Sequence, residues 1–403
     1  MAASAIGVVC GLIGTMFHFG VHEVTAFRGT HPWVLYLLPL AGFVIMSFYK
    51  LTETDGLGTD DIIDAVHEGK RLPILLLPAI FFGTVLTHLC GGSAGREGAA
   101  LQMGGTIGQC MGRTFRLDDR DLRVATLAGM AAFFSALFGT PLAATVFAIM
   151  VISIGVIYHV ALYPSLLAAL VAYGVSVRLG VEPTRFTVAV PDQSVGMFVR
   201  VAALGVLCAL VSILFCKLMH GAGHLMKRIK NPWLRVICGG FAVITLTWVF
   251  GTDYNGAGMD IVTRAIEQET VAVPWAFLLK LVFTAVTLAA GFKGGEVVPS
   301  FFVGATFGCA VSPLLGLPVG FGAAVGLAAV FCGVTNCPVA STLLAVELFG
   351  AEGMLYFALA CCLSYMLSGY QGLYSSQTIL YSKLKAQFIN VHTNAYHAGE
   401  KTE

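Results

Sequence analysis

The sequence GGSAGREGAALQMGGTIG at residues 91–108 has a counterpart in GFKGGEVVPSFFVGATFG at residues 291–308. Alignment of the chain with itself at an offset of 200 residues matches these segments without a gap. The same register extends upstream, and the residues identical to those 200 positions later are Gly56, Gly58, Asp60, Ala65, Thr84, Thr87, Gly91, Gly95, Gly104, Thr106 and Gly108. The sequence therefore predicts an internal duplication.

The composition is that of a membrane protein. Charged residues make up 11% of the 403 residues and hydrophobic residues 57%, and the mean hydropathy is +0.84. The net charge of +1 provides no basic field for nucleic acid. No Asp, Glu, Lys or Arg occurs in the tracts 29–49, 124–177, 236–252, 297–346 and 353–382. Since a span needs about 20 apolar residues, the sequence predicts an all-α, polytopic membrane protein with many short, tilted and broken helices.

The duplication also predicts the organisation of the chain. We expect a first half over 1–195, a second half over 196–386 and a short polar tail over 387–403. A helix is predicted over 374–386, and the apolar start of the chain is interpreted as the first membrane helix rather than a secretory signal. The connector around 217–235 carries Lys and Arg without an acidic residue, so the positive-inside bias predicts that it faces the cytoplasm.

Two glycine-rich loops interrupt the apolar segments at equivalent places in the halves, residues 91–95 and 291–295. Internal repeats with broken helices are typical of transporters and channels, whose binding site lies at the repeat interface. Helix N-termini at that depth present free N–H groups and the positive end of the helix dipole, which bind anions. With Gly56-Leu57-Gly58 opening a third helix, the pattern predicts an anion site built from three converging helix starts.

These motifs resemble those of the CLC family of anion channels and proton-coupled antiporters. Gly95-Arg96-Glu97-Gly98 is similar to the family segment that carries the gating glutamate, which maps to Glu97. Gly295-Glu296-Val297-Val298-Pro299 is similar to the G-x-F-x-P filter segment. The resemblance implies inverted topology of the two halves and a homodimer with one pore per subunit.

Two further segments carry the resemblance. Leu373-Tyr374-Ser375 stands where the family has its central tyrosine, and Gly56-Leu57-Gly58-Thr59-Asp60 matches the G-S-G-x-P position. The resemblance therefore implies a proton-coupling role for Glu97 and an anion-binding set of Leu57, Gly58, Glu296, Val297, Val298 and Tyr374. The implied filter-loop residues are Gly95, Arg96, Gly98, Gly295 and Pro299.

The departures from the family pattern resemble its fluoride-exporting branch, the CLC-F proteins. Leu57 replaces the filter serine, Glu296 and Val297 alter the third motif, and Met150 and Val151 occupy the region of an internal proton glutamate. The implied function is a fluoride/proton antiporter that exports fluoride across the inner (plasma) membrane as a multi-pass protein. The alternative is a chloride-selective CLC proton antiporter or channel.

Several residues have two possible roles. Arg96 is predicted to form a structural ion pair or to face a vestibule, because a guanidinium would bind the anion too tightly for rapid release. Glu296 is a protonatable group that donates to fluoride, or an acid at a helix start paired with Lys293. Tyr374 is an anion ligand by the resemblance, although interfacial tyrosines are common in membrane proteins.

Other chemistry is not predicted. His18 and His22 have metal-ligand spacing on a helix, but the sequence offers no third ligand, so we predict no metal site and no cofactor. No nucleophile, base and metal residues cluster as an intramembrane enzyme requires, so enzymatic activity is not predicted. The GxxxG motifs at 104–108 and 304–308 are predicted to pack helices within one subunit rather than between subunits.

Overall fold

The computed structural model describes residues 1–269, 273–385 and 387–394. Within these residues the chain forms sixteen α-helices, two short 3₁₀ turns and three short strands. Seven helical segments are long and apolar enough to cross a membrane, and several others have only 10–17 residues. The predicted all-α membrane architecture is confirmed.

The helices of the first half follow the apolar tracts and end at glycines or polar loops. They are α1 (Ala2–Thr30), α2 (Leu38–Leu51), α3 (Thr59–Glu68), α4 (Leu76–Leu89), α5 (Glu97–Thr114), α6 (Asp119–Phe138), α7 (Pro141–Met150) and α8 (Leu162–Arg178). Those of the second half are α9 (Val195–Met226), α10 (Pro232–Phe250), α11 (Met259–Glu267), α12 (Ala276–Ala290), α13 (Val297–Leu315), α14 (Val319–Thr335), α15 (Pro338–Phe349) and α16 (Met354–Leu367).

The predicted helix over 374–386 is wrong. The strands are β1 (Ser153–Ile154), β2 (Thr378–Tyr381) and β3 (Phe388–His392), and β2 pairs in parallel with β1 and antiparallel with β3. The β-branched pair Thr378 and Ile379 suits a strand, and partners on both sides supply the backbone hydrogen bonds. Residues 388–392 of the segment expected to be a polar tail are therefore ordered as β3, whereas 395–403 lie outside the described residues.

Glycines let the two equivalent helix pairs approach to backbone contact. A Cβ atom added at Gly104 of α5 would lie 2.3 Å from the Gly129 carbonyl oxygen of α6. A Cβ atom at Gly304 of α13 would lie 2.3 Å from the Gly326 oxygen of α14. The glycines of both GxxxG motifs thus face a helix of the same chain, which confirms the predicted packing within a subunit.

The two glycine loops meet in the interior and are related by twofold symmetry. Gly95 N–H donates to the Gly295 oxygen, and Gly295 N–H donates to the Gly95 oxygen, both at 2.8 Å, in an antiparallel bridge. Around it, Lys293 N–H donates to Thr87 Oγ1 at 3.2 Å and Ser93 N–H to Thr287 Oγ1 at 3.1 Å. Non-helical backbone at membrane depth must find hydrogen-bond partners within the protein. Each loop supplies these partners to the other, and the two halves pack together in inverted orientation.

Candidate functional site

Two cavities approach the paired loops. The outer cavity, about 720 Å³, is lined by residues that include His18, Arg96, Glu97, Asp260 and Val298. The inner cavity, about 340 Å³, is lined by residues that include Leu57, Gly58, Lys293, Glu296 and Tyr374. The repeat relates the two, since Gly58, Asp60 and Glu296 of the inner cavity correspond to Gly258, Asp260 and Arg96 of the outer cavity.

The basic connector before α10 allows each cavity to be assigned to one side of the membrane. If this connector faces the cytoplasm, α10 runs outward from Pro232 to Phe250. The outer cavity contains Thr252 and Asp253, which follow the far end of α10. The inner cavity contains Tyr49, whose neighbour Lys50 lies 5.0 Å above the ring of Trp233 at the near end. In this orientation the outer cavity opens away from the cytoplasm and the inner cavity opens toward it.

Glu97 is the first residue of α5, and its side chain is fully buried. Its Oε2 accepts hydrogen bonds from the Arg96 N–H at 2.9 Å and, across the repeat interface, from the Val298 N–H in the first turn of α13 at 3.3 Å. Its Oε1 has no hydrogen-bond partner in the described part of the chain. The carboxylate therefore occupies a place where backbone amides and two helix dipoles favour an anion.

Arg96 lies beside this carboxylate on the cavity side. Its Nε is 3.8 Å from Glu97 Oε1, and its Nη1 is 3.0 Å from Nδ1 of His18. Arg96 lies within ion-pair distance of Glu97 and also lines the outer cavity, so both predicted roles remain open to it. Arg96 thus joins α1 to the start of α5.

Glu296, Val297, Val298 and Pro299 form the equivalent start of α13. Glu296 is half-buried and lines the inner cavity, while Val297 is buried. The suggested pairing of Glu296 with Lys293 is not seen, because the Lys293 ammonium lies 4.1 Å from the centre of the Tyr49 ring. Glu296 therefore presents a carboxylate to the inner cavity without an ion pair to Lys293.

Tyr374 is 3% exposed and lines the inner cavity. Its hydroxyl is buried and has no hydrogen-bond partner among the described residues. Its backbone is fixed from the C-terminal hairpin, because the Thr393 hydroxyl donates to the Tyr374 carbonyl oxygen. Because a buried hydroxyl without a partner is costly, a ligand that accepts a hydrogen bond here would be stabilised.

Two backbone amides just before α3 are already hydrogen-bonded. Gly58 N–H donates to the Asp61 carboxylate at 2.8 Å and Leu57 N–H donates to the Thr54 oxygen at 3.2 Å. Asp61 at the third helical position caps its own helix, a common local arrangement. Leu57 and Gly58 line the inner cavity, but they present no free backbone donor to it.

The glycines and the proline of the filter loops fit where larger residues would collide. A Cβ atom at Gly95 would lie 3.0 Å from Pro299 Cδ, and one at Gly98 would lie 2.8 Å from Gly295 Cα. These four residues therefore set the distance between the loops. The structure brings the predicted filter-loop residues together at the repeat interface.

Two charged residues in apolar helices, Glu347 (half-buried) and Lys280 (fully buried), were not singled out from the sequence. Glu347 on α15 accepts from the Leu142 and Ala143 N–H groups at 3.1 and 2.8 Å and so caps α7, which begins with Pro141. The Lys280 ammonium on α12 donates to the Tyr254 and Gly256 oxygens in the loop before α11. A single charge in an otherwise apolar helix was the available signal in both cases.

Inverted halves, paired re-entrant loops and a buried carboxylate between two cavities define the molecule as a membrane protein of the ion-transport class. The family model for voltage-gated chloride channels matches residues 40–369. The chain therefore belongs to the voltage-gated chloride channel family, the CLC family, whose members are channels and transporters.

The relatives include fluoride and chloride proteins. The chain is 38% identical over 393 residues to a chloride/fluoride channel protein of Pseudomonas syringae pv. tomato, covering 94% of this chain and 86% of the relative. A crystal structure of a CLC-type fluoride/proton antiporter is similar with a TM-score of 0.91 at 33% identity, covering 94% and 97% of the two chains. An H(+)/Cl(-) exchange transporter of Cronobacter sakazakii is 26% identical, covering 86% and 81% of the two chains.

Proposed function

We propose that this protein is a fluoride/proton antiporter that exports fluoride across the plasma membrane. The observation that carries the proposal is the position of the Glu97 carboxylate. It lies between the two cavities and accepts from the Val298 amide at the start of α13. An anion that reaches these amides must displace the carboxylate, and a protonated Glu97 loses its attraction to them. Anion and proton occupancy are thereby linked.

The proposed path joins the two cavities through the buried polar groups. Tyr374 supplies a hydroxyl donor on the inner side, and Val298 supplies an amide that becomes free when Glu97 leaves. We assign Glu296 as a second protonatable group that can donate to fluoride when it is neutral. Leu57 contributes an apolar wall, because its backbone N–H is already bonded.

Fluoride as the substrate is supported by the relatives and by the site. The names of the chloride/fluoride relative and of the similar antiporter structure both include fluoride. Fluoride is small and strongly hydrated, so its site must replace water with compact hydrogen-bond donors. Tyr374 and a protonated Glu296 are such donors on the inner side.

The second candidate is a chloride-selective proton antiporter. The name of the Cronobacter sakazakii relative describes exchange of chloride for protons, and Glu97 can couple protons to either halide. The apolar side chain of Leu57 at the inner cavity is the observation that favours the larger and more weakly hydrated ion.

The experiment that separates the candidates is a paired flux assay. The purified protein is reconstituted in liposomes and efflux is recorded with a fluoride electrode and a chloride electrode in parallel, with proton uptake measured at the same time. We expect faster fluoride efflux coupled to proton uptake. Equal or faster chloride efflux from the same liposomes would reject fluoride export.

We also propose a homodimer, without a cofactor or catalytic activity. Leu142 at the start of α7 and Val339 at the start of α15 are each 48% exposed. Exposed apolar groups on these helices suit packing against a second copy in the bilayer. A strictly monomeric particle in mild detergent that retains full transport after reconstitution would contradict this assembly.

A further inference from the structure

A hydrogen bond in the outer cavity fixes the protonation state of one partner. Arg96 Nη1 lies 3.0 Å from His18 Nδ1. A guanidinium has only N–H donors and does not lose its proton, so Nδ1 must accept this hydrogen bond with its lone pair. His18 is therefore neutral, with its proton on Nε2, when the contact is made. A proton on Nδ1 removes the acceptor and places two cations side by side.

The same arginine faces the coupling carboxylate. Its Nε is 3.8 Å from Glu97 Oε1, too far for a hydrogen bond, and this oxygen has no hydrogen-bond partner within the described residues. The Arg96 side chain is 19% exposed and the Glu97 side chain is fully buried. The bond to His18 thus holds the guanidinium short of a close ion pair with Glu97.

We propose that His18 is a positioning residue that acts through Arg96 on Glu97 and makes the exchange rate depend on the pH of the outer cavity. Protonation of His18 releases Arg96, whose guanidinium moves onto Glu97 Oε1 and stabilises the carboxylate. Since Glu97 must accept a proton in each cycle, exchange slows. This inference rests on the proposed function, because it takes Glu97 as the coupling group.

Among the groups around His18, Arg96 is the one whose position responds to protonation of the His18 ring. Next to the His18 ring lie Arg96, bonded at 3.0 Å, and, one turn along α1, His22, whose ring is stacked at 6.4 Å. His88 at the end of α4 lines the same cavity, and α6 and α8 carry no Asp, Glu, Lys or Arg between 124 and 177. The remaining charged groups of the cavity are Arg28, Glu182, Arg185, Asp253, Asp260, Arg264 and Glu267. Among the described residues, Arg96 alone is hydrogen-bonded to the His18 ring.

The test compares pH profiles of coupled exchange in liposomes. Because the neighbouring Arg96 cation opposes a second positive charge on His18, the pH of both solutions is lowered together from about 7.5 to about 3.5, below the usual range of histidine, and the gradient stays constant. The wild-type exchange rate should fall about fivefold relative to that of His18→Gln, the order that a modest ion pair contributes. The direct titration of Glu97 is common to both proteins and cancels in this ratio. His18→Gln offers an amide oxygen to Arg96 but has no comparable protonation. This variant should therefore keep coupled exchange but lack the pH-dependent decrease in rate.

His18→Leu and His22→Gln complete the design. His18→Leu removes the acceptor without adding a charge, so it should be slow at every pH of the series. His22→Gln alters the neighbouring ring in the same cavity and should keep the wild-type profile. A ratio of wild-type to His18→Gln rates that stays constant across the pH series, or a His22→Gln profile that matches that of His18→Gln, would overturn the role of His18.

The design separates this inference from the proposed function. A wild type that moves no fluoride, or moves it without protons, rejects the antiporter itself. A wild type that exchanges fluoride for protons, together with a His18→Gln profile identical to its own, rejects only the role of His18.

Discussion

The outer and inner cavities are equivalent by the repeat, yet they carry different chemistry. The loops before α5 and α13 share their glycines and their hydrogen bonds, but the outer loop ends in Arg96 and Glu97 and the inner loop in Glu296 and Val297. A basic residue thus stands next to the buried acid on one side, and an acid faces the cavity on the other. The two loops therefore share a symmetric backbone frame but carry different charged side chains at its centre.

The same contrast extends to the supporting helices. Lys280 on α12 is fully buried and bonds to the loop before α11, whereas its equivalent on α4 is Ile80. Thr87 and Thr287, by comparison, are identical and make matching contacts. The threonines of the frame are therefore the same in both halves, as are Asp60 and Asp260, whereas Arg96, Glu97 and Lys280 are each replaced in the other half.

The largest expected effect is at Glu97, where the two halves differ most. Glu97→Gln keeps the shape of the side chain but leaves it permanently neutral, so coupled proton movement should vanish. The measurement is proton uptake alongside fluoride efflux, with the membrane potential clamped by a potassium ionophore. A Gln variant that still drives protons uphill on a fluoride gradient would show that Glu97 only caps α5.

The Tyr374 hydroxyl should matter for the ligand and not for the fold. Tyr374→Phe removes a donor that has no protein partner, so fluoride affinity should fall about tenfold, as expected for a hydrogen bond to a charged group, while thermal stability is unchanged. Calorimetric fluoride titration and a melting curve in detergent measure the two quantities.

Tyr356 is the matched control for this substitution. Its hydroxyl donates to the Asp192 carbonyl oxygen at 2.9 Å, so Tyr356→Phe should lower stability and leave fluoride affinity unchanged. If both variants behave alike, the Tyr374 hydroxyl has a structural role and not a ligand-binding one.

The symmetric packing of α5 on α6 and of α13 on α14 predicts that equivalent Gly→Ala substitutions in the two halves cause equal losses of stability. Gly104→Ala and Gly304→Ala each force a Cβ atom against a carbonyl oxygen at 2.3 Å and should destabilise by about 1–3 kcal/mol. Gly174→Ala on α8 is the control, since its Cβ would meet nothing within 4 Å. Thermal melting that shows a loss in only one half would break the equivalence of the repeats.

The smallest expected effects are at the threonine pair. Thr87→Val and Thr287→Val each leave one loop N–H, that of Lys293 or Ser93, without its acceptor. Each should cost about 1 kcal/mol of stability, and the two melting temperatures should fall by similar amounts. Unequal losses would mean that one loop is held mainly by other contacts.

Much of the fold and of the site could be predicted from the sequence, because glycines occur where two stretches of backbone come into contact. The register from Gly56 to Gly108 predicted the two re-entrant loops and placed Glu97 at the start of a buried helix. The strand at Thr378 was missed because one of its partners, Ser153, is remote in the chain, and because the β-branched residues Thr378 and Ile379 lie in an apolar stretch that also suits a helix. The contact of His18 with Arg96 was missed for the same reason, as the spacing of His18 and His22 suggested only a metal.

The reciprocal bridge of Gly95 and Gly295 has a consequence for biosynthesis. When residue 95 enters the membrane, the residue that completes its hydrogen bonds has not yet been synthesised. At roughly 5–20 residues per second, the interval between them lasts about 10–40 s. During this time the Gly95 N–H and C=O groups need water or another polar partner, because an unsatisfied amide in lipid costs several kcal/mol. The first half therefore remains an incomplete insertion intermediate until the second half arrives from the ribosome.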